Sequence, residues 1–199
     1  YTTLFRSRLK RLNHFIADVL DWTAIERGEL RQEMQVTDCR RLIERAVEDY
    51  EEAAREKSIR VSLELPDDLP KVVCTPERMA QVFDNLISNA IKYTPEGGRI
   101  DVRVDVLGAE IRLAVADTGI GMSQEDLGRL FQDFFRSASV KRKFEGTGLG
   151  LSVVRRIVAA HNGRVCAESE LGEGSTFYVQ IPVRQTRSVM ASIDEPEDV

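Results

Sequence analysis

The residues best suited to chemistry fall in three stretches: Asn85-Leu-Ile-Ser-Asn89-Ala-Ile-Lys92-Tyr93, Asp117-Thr-Gly119-Ile120-Gly121, and Gly146-Thr147-Gly148-Leu149-Gly150-Leu151. Alone, each is a weak signal, because a glycine-rich loop is more often a turn than a cradle. In this order they complement one another. Side-chain amide oxygens suit a hard cation such as Mg2+, and a lysine offers a point charge for phosphate. Asp117 closes the apolar run Ile111-Arg-Leu-Ala-Val-Ala. That puts a carboxylate at the rim of a sheet, able to accept a hydrogen bond from an exocyclic amine such as adenine's. Gly119 and Gly121 let backbone pass close to a flat base. Gly146, Gly148 and Gly150 precede a helix, whose unpaired N–H groups and dipole favour an anion. The spacing is neither that of a P-loop nor that of a dinucleotide fingerprint following a strand. Together the three stretches read as the parts of one pocket for ATP and Mg2+.

These side chains need elements to hold them. Thr75-Pro76-Glu77 opens a helix running to about 93, with a capping residue followed by proline at the first helical position. At about 100° per residue, Met79, Val82, Phe83, Leu86, Ile87 and Ala90 gather on one side, and Gln81, Asn85, Asn89 and Lys92 on the other. A merely solvated face does not explain two asparagines at i, i+4, since asparagine is a poor helix former. Alternation predicts strands over 59–65, 71–74, 99–107, 110–116, 164–169 and 175–182, with Gly108-Ala109 as a hairpin turn. Asp38 is read as the cap of a helix to about 57, and further helices are expected over 123–131 and 147–161. Between the glycine clusters, Arg136, Lys141, Arg142 and Lys143 mark a basic stretch such as a lid over phosphates needs, though loop charges are usually only solvated. Gly172 and Gly174 suit either a close backbone approach or a hairpin turn. Upstream, Phe5, Leu9, Leu12, Ile16, Val19 and Thr23 recur in alternating steps of 4 and 3, a helical seam over 1–29 that needs a partner helix.

The expected fold is α+β: one mixed sheet covered by three helices, preceded by one long helix. A net charge of −5 gives no footprint for nucleic acid, and no apolar run approaches the roughly 18 residues of a membrane span. Cys39, Cys74 and Cys166 form no Cys-x-x-Cys pair and are expected to be buried small hydrophobes in a reducing compartment. The chain reads as cytoplasmic and as a piece of something longer, any membrane attachment lying in missing N-terminal parts. From 184 the sequence turns polar and acidic, expected to be disordered.

The order Asn85…Asn89-Ala-x-Lys92-Tyr93, Asp117-x-Gly-x-Gly121, Phe131…Phe134-Phe135-Arg136, Gly146-Thr-Gly-Leu-Gly150 and Gly172-x-Gly174 resembles the catalytic, ATP-binding domain of sensor histidine kinases. That domain shares the Bergerat fold with DNA gyrase, heat-shock chaperone clamps and mismatch-repair ATPases. The likeness covers about 37–183, and residues 18–30 look like the end of the family's second dimerisation helix. It implies a partial stalk over 1–30, a catalytic domain over 31–183 and a tail over 184–199. By resemblance, Asn89 would hold Mg2+ with Asn85 assisting, Lys92 would contact phosphate, and Tyr93 would lie against adenine. Asp117 would read the adenine amine, with Gly119, Ile120, Gly121 and Thr176 nearby. Arg136 and a lid lysine, Lys143, would neutralise the terminal phosphate, and Gly146, Thr147, Gly148, Leu149 and Gly150 would cradle the chain of phosphates. Asn85, Lys92, Arg136 and Lys143 are thus the expected catalytic set. The implied activity is transfer of the γ-phosphoryl of ATP to a histidine and then to an aspartate of a response-regulator receiver domain, within a homodimer joined by stalk helices. The helix that carries the family's phospho-accepting histidine is absent from the sequence. His14 lies midway along the second helix, and His161 precedes Asn162-Gly163 at a helix end, where histidine is a common cap. Gln132 stands where the family often has Glu. Other members of the superfamily remain open: a nucleotide-binding pseudokinase, an anti-sigma-type serine kinase lacking the stalk, or an ATPase clamp, which needs a Glu on the helix that here carries Gln81 and Asn85.

Overall fold

The computed structural model describes residues 34–137, 140, 144 and 146–184. The helical seam over 1–29, His14, Lys141, Arg142, Lys143 and the acidic tail lie outside the described residues. Alternating strands form a five-stranded sheet: β2 (Arg60–Glu64), β4 (Arg99–Leu107), β5 (Glu110–Asp117), β6 (Arg164–Glu170) and β7 (Gly174–Pro182), in the order β2-β4-β5-β7-β6. Only the β2–β4 pair is parallel, so the sheet is mixed. Gly108, at φ +62°, lets β4 turn straight back into β5. A separate pair, β1 (Gln35–Thr37) with β3 (Val72–Cys74), lies antiparallel beside it.

The period-two pattern sorts the two faces. Ile100, Val102, Val104, Ile111, Leu113, Val115, Phe177, Val179 and Ile181 are buried beneath helices. Their sequence neighbours on the opposite face form ion pairs, Arg99–Asp101 at 2.8 Å and Arg112–Asp105 at 2.9 Å. Three helices cover the apolar face: α1 (Cys39–Glu48), α3 (Pro76–Tyr93) and α5 (Gly150–Ala160), with α3 in the middle packing on both others. Met79, Val82, Phe83, Leu86, Ile87 and Ala90 of α3 are all buried, as the helical spacing requires.

Four expectations need correction. The helix read over 38–57 is two, α1 and α2 (Glu51–Glu56), because Asp49 caps the first and Tyr50 leaves helical geometry at φ −109°, ψ 3°. The break turns Ala54 into the core, and Ser58 in the left-handed region closes α2. The helix read over 123–131 shortens to α4 (Gln124–Leu127), capped by Ser123, since Gly128 follows and nothing in it is buried. α5 begins at Gly150 rather than 147, because Gly148 at φ +78° cannot be helical. Cys39 and Cys74 are buried as expected, but Cys166 is exposed because it sits on the uncovered face of β6.

Candidate functional site

The polar flank of α3 opens onto a cavity of about 810 Å³ lined there by Asn85, Ser88, Asn89, Lys92 and Tyr93. Across it stand Asp117, Ile120, Gly121 and Met122, then Arg136, Gly146, Thr147, Gly148 and Gly150, with Ser175 and Phe177 of β7 forming part of the wall. One cavity thus gathers residues from all three stretches.

At one end sits Asp117. Its Oδ1 accepts the Gly119 N–H at 2.8 Å. Burial pushes the carboxyl up to about 6, only partly offset by N–H donors from Gly119 and Ser175. The loop after it is clamped by backbone. Ile120 N–H donates to Tyr93 O at 3.2 Å, and Gly172 N–H to Ile120 O at 2.9 Å. A methyl on Gly121 would lie 1.8 Å from Glu170 O, and one on Gly119 would lie 2.8 Å from Tyr93 O. The glycines the sequence offered to a flat base are therefore first required by the chain's own packing.

At the other end α5 begins. A Cβ on Gly150 would lie 2.4 Å from Asn85 Oδ1, so that amide oxygen is aimed at the first turn of α5, while Asn85 Nδ2 donates to Gln81 O at 2.9 Å. Lys92 Nζ stands 3.0 Å from where a methyl on Gly146 would be, and 5.0 Å from the centre of the Tyr93 ring. Phe144 meets that ring edge-on at 5.0 Å. Arg136 donates to Gly146 O at 3.0 Å and to Phe144 O. Its guanidinium therefore pins the chain before Gly146 across Tyr93.

Three residues named from sequence do not line the cavity: Gly119, Leu149 and Thr176. Gly119 is turned against Tyr93, and Leu149 is wholly buried. Thr176 pairs with Ala116, whereas Ser175 pairs with Asp117 and takes the lining position. The signal was available: Ser175 shares parity with the apolar Phe177, Val179 and Ile181. Ser88, Phe135 and Leu151, inside the quoted motifs but given no role, also line the cavity, as do Met122, Asp126, Leu130, Ser137 and Val140, which no motif announced.

His161 has a different task. It is 2% exposed, its Nε2 accepts the Thr75 N–H at 3.0 Å, and its Nδ1 lies 2.8 Å from Ile157 O. A ring that accepts at Nε2 carries its proton on Nδ1 and is neutral, and burial lowers its pKa accordingly. It closes α5 by hydrogen bonding rather than by charge, and ties that end to the start of α3.

The donor chemistry fits Mg2+ in one way. No group of three or more His, Cys, Asp or Glu able to hold a metal occurs among the described residues. The oxygens that α3 offers are amides, which suit a cation whose remaining ligands are water and the phosphates themselves.

The signature of the histidine kinase-, DNA gyrase B- and HSP90-like ATPases matches residues 74–185. The adaptive-response sensory kinase SasA of Synechococcus elongatus is 36% identical over 179 residues, covering 89% of this chain and 46% of that protein. The catalytic domain of the histidine kinase ThkA superposes with a TM-score of 0.69 at 29% identity, covering 77% of this chain and 98% of that one. Full-length ShkA, solved in complex with AMPPNP, gives 0.81 at 28% identity, over 94% of this chain and 39% of that one. The chain spans less than half the length of SasA.

Proposed function

The chain belongs to the histidine kinase-, DNA gyrase B- and HSP90-like ATPase family, and from that premise we propose that it binds ATP with Mg2+ as the catalytic part of a sensor histidine kinase. The observation that carries this reading is the facing of two unlike ends across one cavity. A largely buried carboxyl, Asp117, stands at one end, and the amides of Asn85 and Asn89 with Lys92 stand at the other.

Asp117, when ionised, accepts the exocyclic amine of adenine, and Tyr93 and Met122 offer the base an apolar wall. Asn89 and Asn85 hold Mg2+, which when bound neutralises charge on the phosphates. Lys92 adds a fixed positive charge, and the N-terminus of α5 offers backbone N–H groups to the same oxygens. Arg136 reaches the terminal phosphate only by giving up its bonds to Gly146 and Phe144. Lys143 belongs to the same proposal, outside the described residues. Phosphoryl transfer needs mainly position and charge stabilisation, and these residues supply both.

The acceptor is a histidine on a separate stalk helix, from which the phosphoryl passes to an aspartate of a response regulator. A homodimer through residues 1–30 brings stalk and catalytic domain together. His161 is no acceptor, because both its nitrogens are committed and it is buried. Calorimetry with ATP and GTP, with and without Mg2+, tests the pocket: Mg2+-dependent preference for ATP is expected, and equal affinity for both nucleotides overturns it. Incubation with γ-labelled ATP tests the chemistry. The chain alone is expected to stay unlabelled and to label a supplied stalk from its parent protein, whereas labelling of neither would make this a nucleotide-binding scaffold.

A further inference from the structure

Three polar groups meet at Ser169 on β6, and their bonding fixes the direction of a hydroxyl in the cavity wall. Ser169 Oγ lies 2.8 Å from Gly174 O, 2.8 Å from the Met122 N–H and 3.0 Å from Ser175 Oγ. A carbonyl oxygen only accepts, so the single Ser169 hydrogen goes to Gly174. Met122 N–H only donates, which fills one Ser169 lone pair. The remaining lone pair can be satisfied only if Ser175 is the donor in the Ser169–Ser175 bond. Ser175 Oγ has then spent its hydrogen inside the protein, and what it has left for the cavity is lone pairs.

Ser175 stands opposite Asp117 in the β5–β7 register, and both line the cavity. Two acceptors, with no side-chain hydroxyl hydrogen between them, face the same end. We infer that Ser169 is a positioning residue that makes this end accept only, so that it selects a 6-amino purine and rejects a 6-oxo one. The inference rests on the ATP reading above. A 6-amino group brings hydrogens to Ser175 and Asp117. A 6-oxo group brings a third acceptor to the same place, and Ser175 cannot turn a hydrogen toward it without breaking its bond to Ser169. Rejection comes from leaving polar groups unpaired in a confined site.

The test compares ATP with inosine triphosphate, which carries a 6-oxo group and the same triphosphate, by Mg2+-supported calorimetry on the full chain. The parent is expected to prefer ATP. Ser169→Ala frees Ser175 to rotate and should lower the ATP-to-inosine triphosphate preference by roughly tenfold, the worth of one hydrogen bond to a confined group. Ser169→Thr keeps the hydroxyl and should restore the preference. Ser175→Ala should lower the preference by itself, and adding Ser169→Ala to it should change nothing more, because Ser169 acts through Ser175. A parent-like preference in either alanine variant overturns the inference, as does a further loss in the double variant. If Ser169→Ala fails to fold, Ser175→Ala and Ser169→Thr decide the matter alone. A parent that binds both nucleotides equally removes the adenine reading and the inference with it. A parent that discriminates while Ser175→Ala does so equally removes the inference only.

Discussion

At Gly121 and Gly174 a methyl group would strike the chain's own carbonyls, Glu170 O at 1.8 Å and Asp117 O at 1.9 Å. At Gly150 and Gly146 it would instead meet the tips of side chains, Asn85 Oδ1 at 2.4 Å and Lys92 Nζ at 3.0 Å. The two glycine clusters look alike in sequence and differ in what presses on them. Backbone cannot yield without moving strands, whereas the end of an asparagine or lysine can rotate away. The Asp117 end of the cavity is therefore built into the sheet. At the other end Gly146 and Gly150 face side chains whose positions a ligand can adjust, and only Gly148 between them meets backbone, 2.9 Å from Phe135 O.

Gly121→Ala should break the first cluster outright. Its φ of +61° disfavours any side chain, and Glu170 O blocks the space, so a loss of about 3 kcal/mol or more in a denaturant or thermal melt is expected. A loss below about 1 kcal/mol would show that β6 gives way and that the clamp is soft. Gly150→Ala at the second cluster should leave the melt nearly unchanged, since alanine is well tolerated in the first turn of a helix. Displacing Asn85 should instead weaken Mg2+–ATP binding by roughly tenfold. Unchanged affinity would show that the Asn85 amide needs no fixed place.

Asn89→Ala sharpens the same contrast, with a several-fold loss of ATP affinity that vanishes when Mg2+ is omitted and little change in fold, because the side chain lies off the core face. Loss of the fold would make this asparagine structural. The smallest effect is one of pH. Ionised Asp117 is the form that accepts an amine, and its free-state pKa is about 6, so ATP affinity should fall as pH drops through about 6, and Asp117→Asn should lack that inflection. Stability carries the opposite sign for this group. A raised carboxyl pKa contributes stability that is present at acid pH and lost as pH rises through about 6. His161 works the other way: its pKa is lowered, so its contribution is present above the ordinary histidine value and lost as pH falls. Melts of His161→Gln and Asp117→Asn from about pH 4, near the unfolded carboxyl value, to about pH 8 separate the two, and parallel pH profiles in both variants would refute the assignment.

Much of this was legible in the sequence. The core and pocket flanks of α3 follow from residue spacing alone, and Asp117 follows from the strand it ends. What escaped depends on contacts between distant segments. Nothing local says that Tyr50 interrupts a helical run, because the turn is forced by where Ala54 and Ile59 must be buried. Thr176 was named and Ser175 was not, because a motif names letters, while the pleat of β7 puts Ser175 opposite Asp117 and in the lining. His161 read as the cap of a helix end, which it is, but its second partner, Thr75 N–H, lies on an element distant in sequence. The glycines of the first cluster were assigned to a ligand, and their stricter constraint is a neighbouring strand.

The helices α3 and α5 touch at two separated points, Thr75 with His161 at one end and Asn85 with Gly150 at the other. They therefore run antiparallel, and the span 75–85 on one must match the span 150–161 on the other. Loops outside both spans can lengthen or shorten without disturbing that match. Inside the matched spans no insertion or deletion is neutral. Adding one residue turns everything beyond it by about 100° and shifts it by about 1.5 Å, so either the histidine loses its amide or the asparagine loses its glycine. In any lineage of this chain, changes in length should collect in the loops and spare these two stretches.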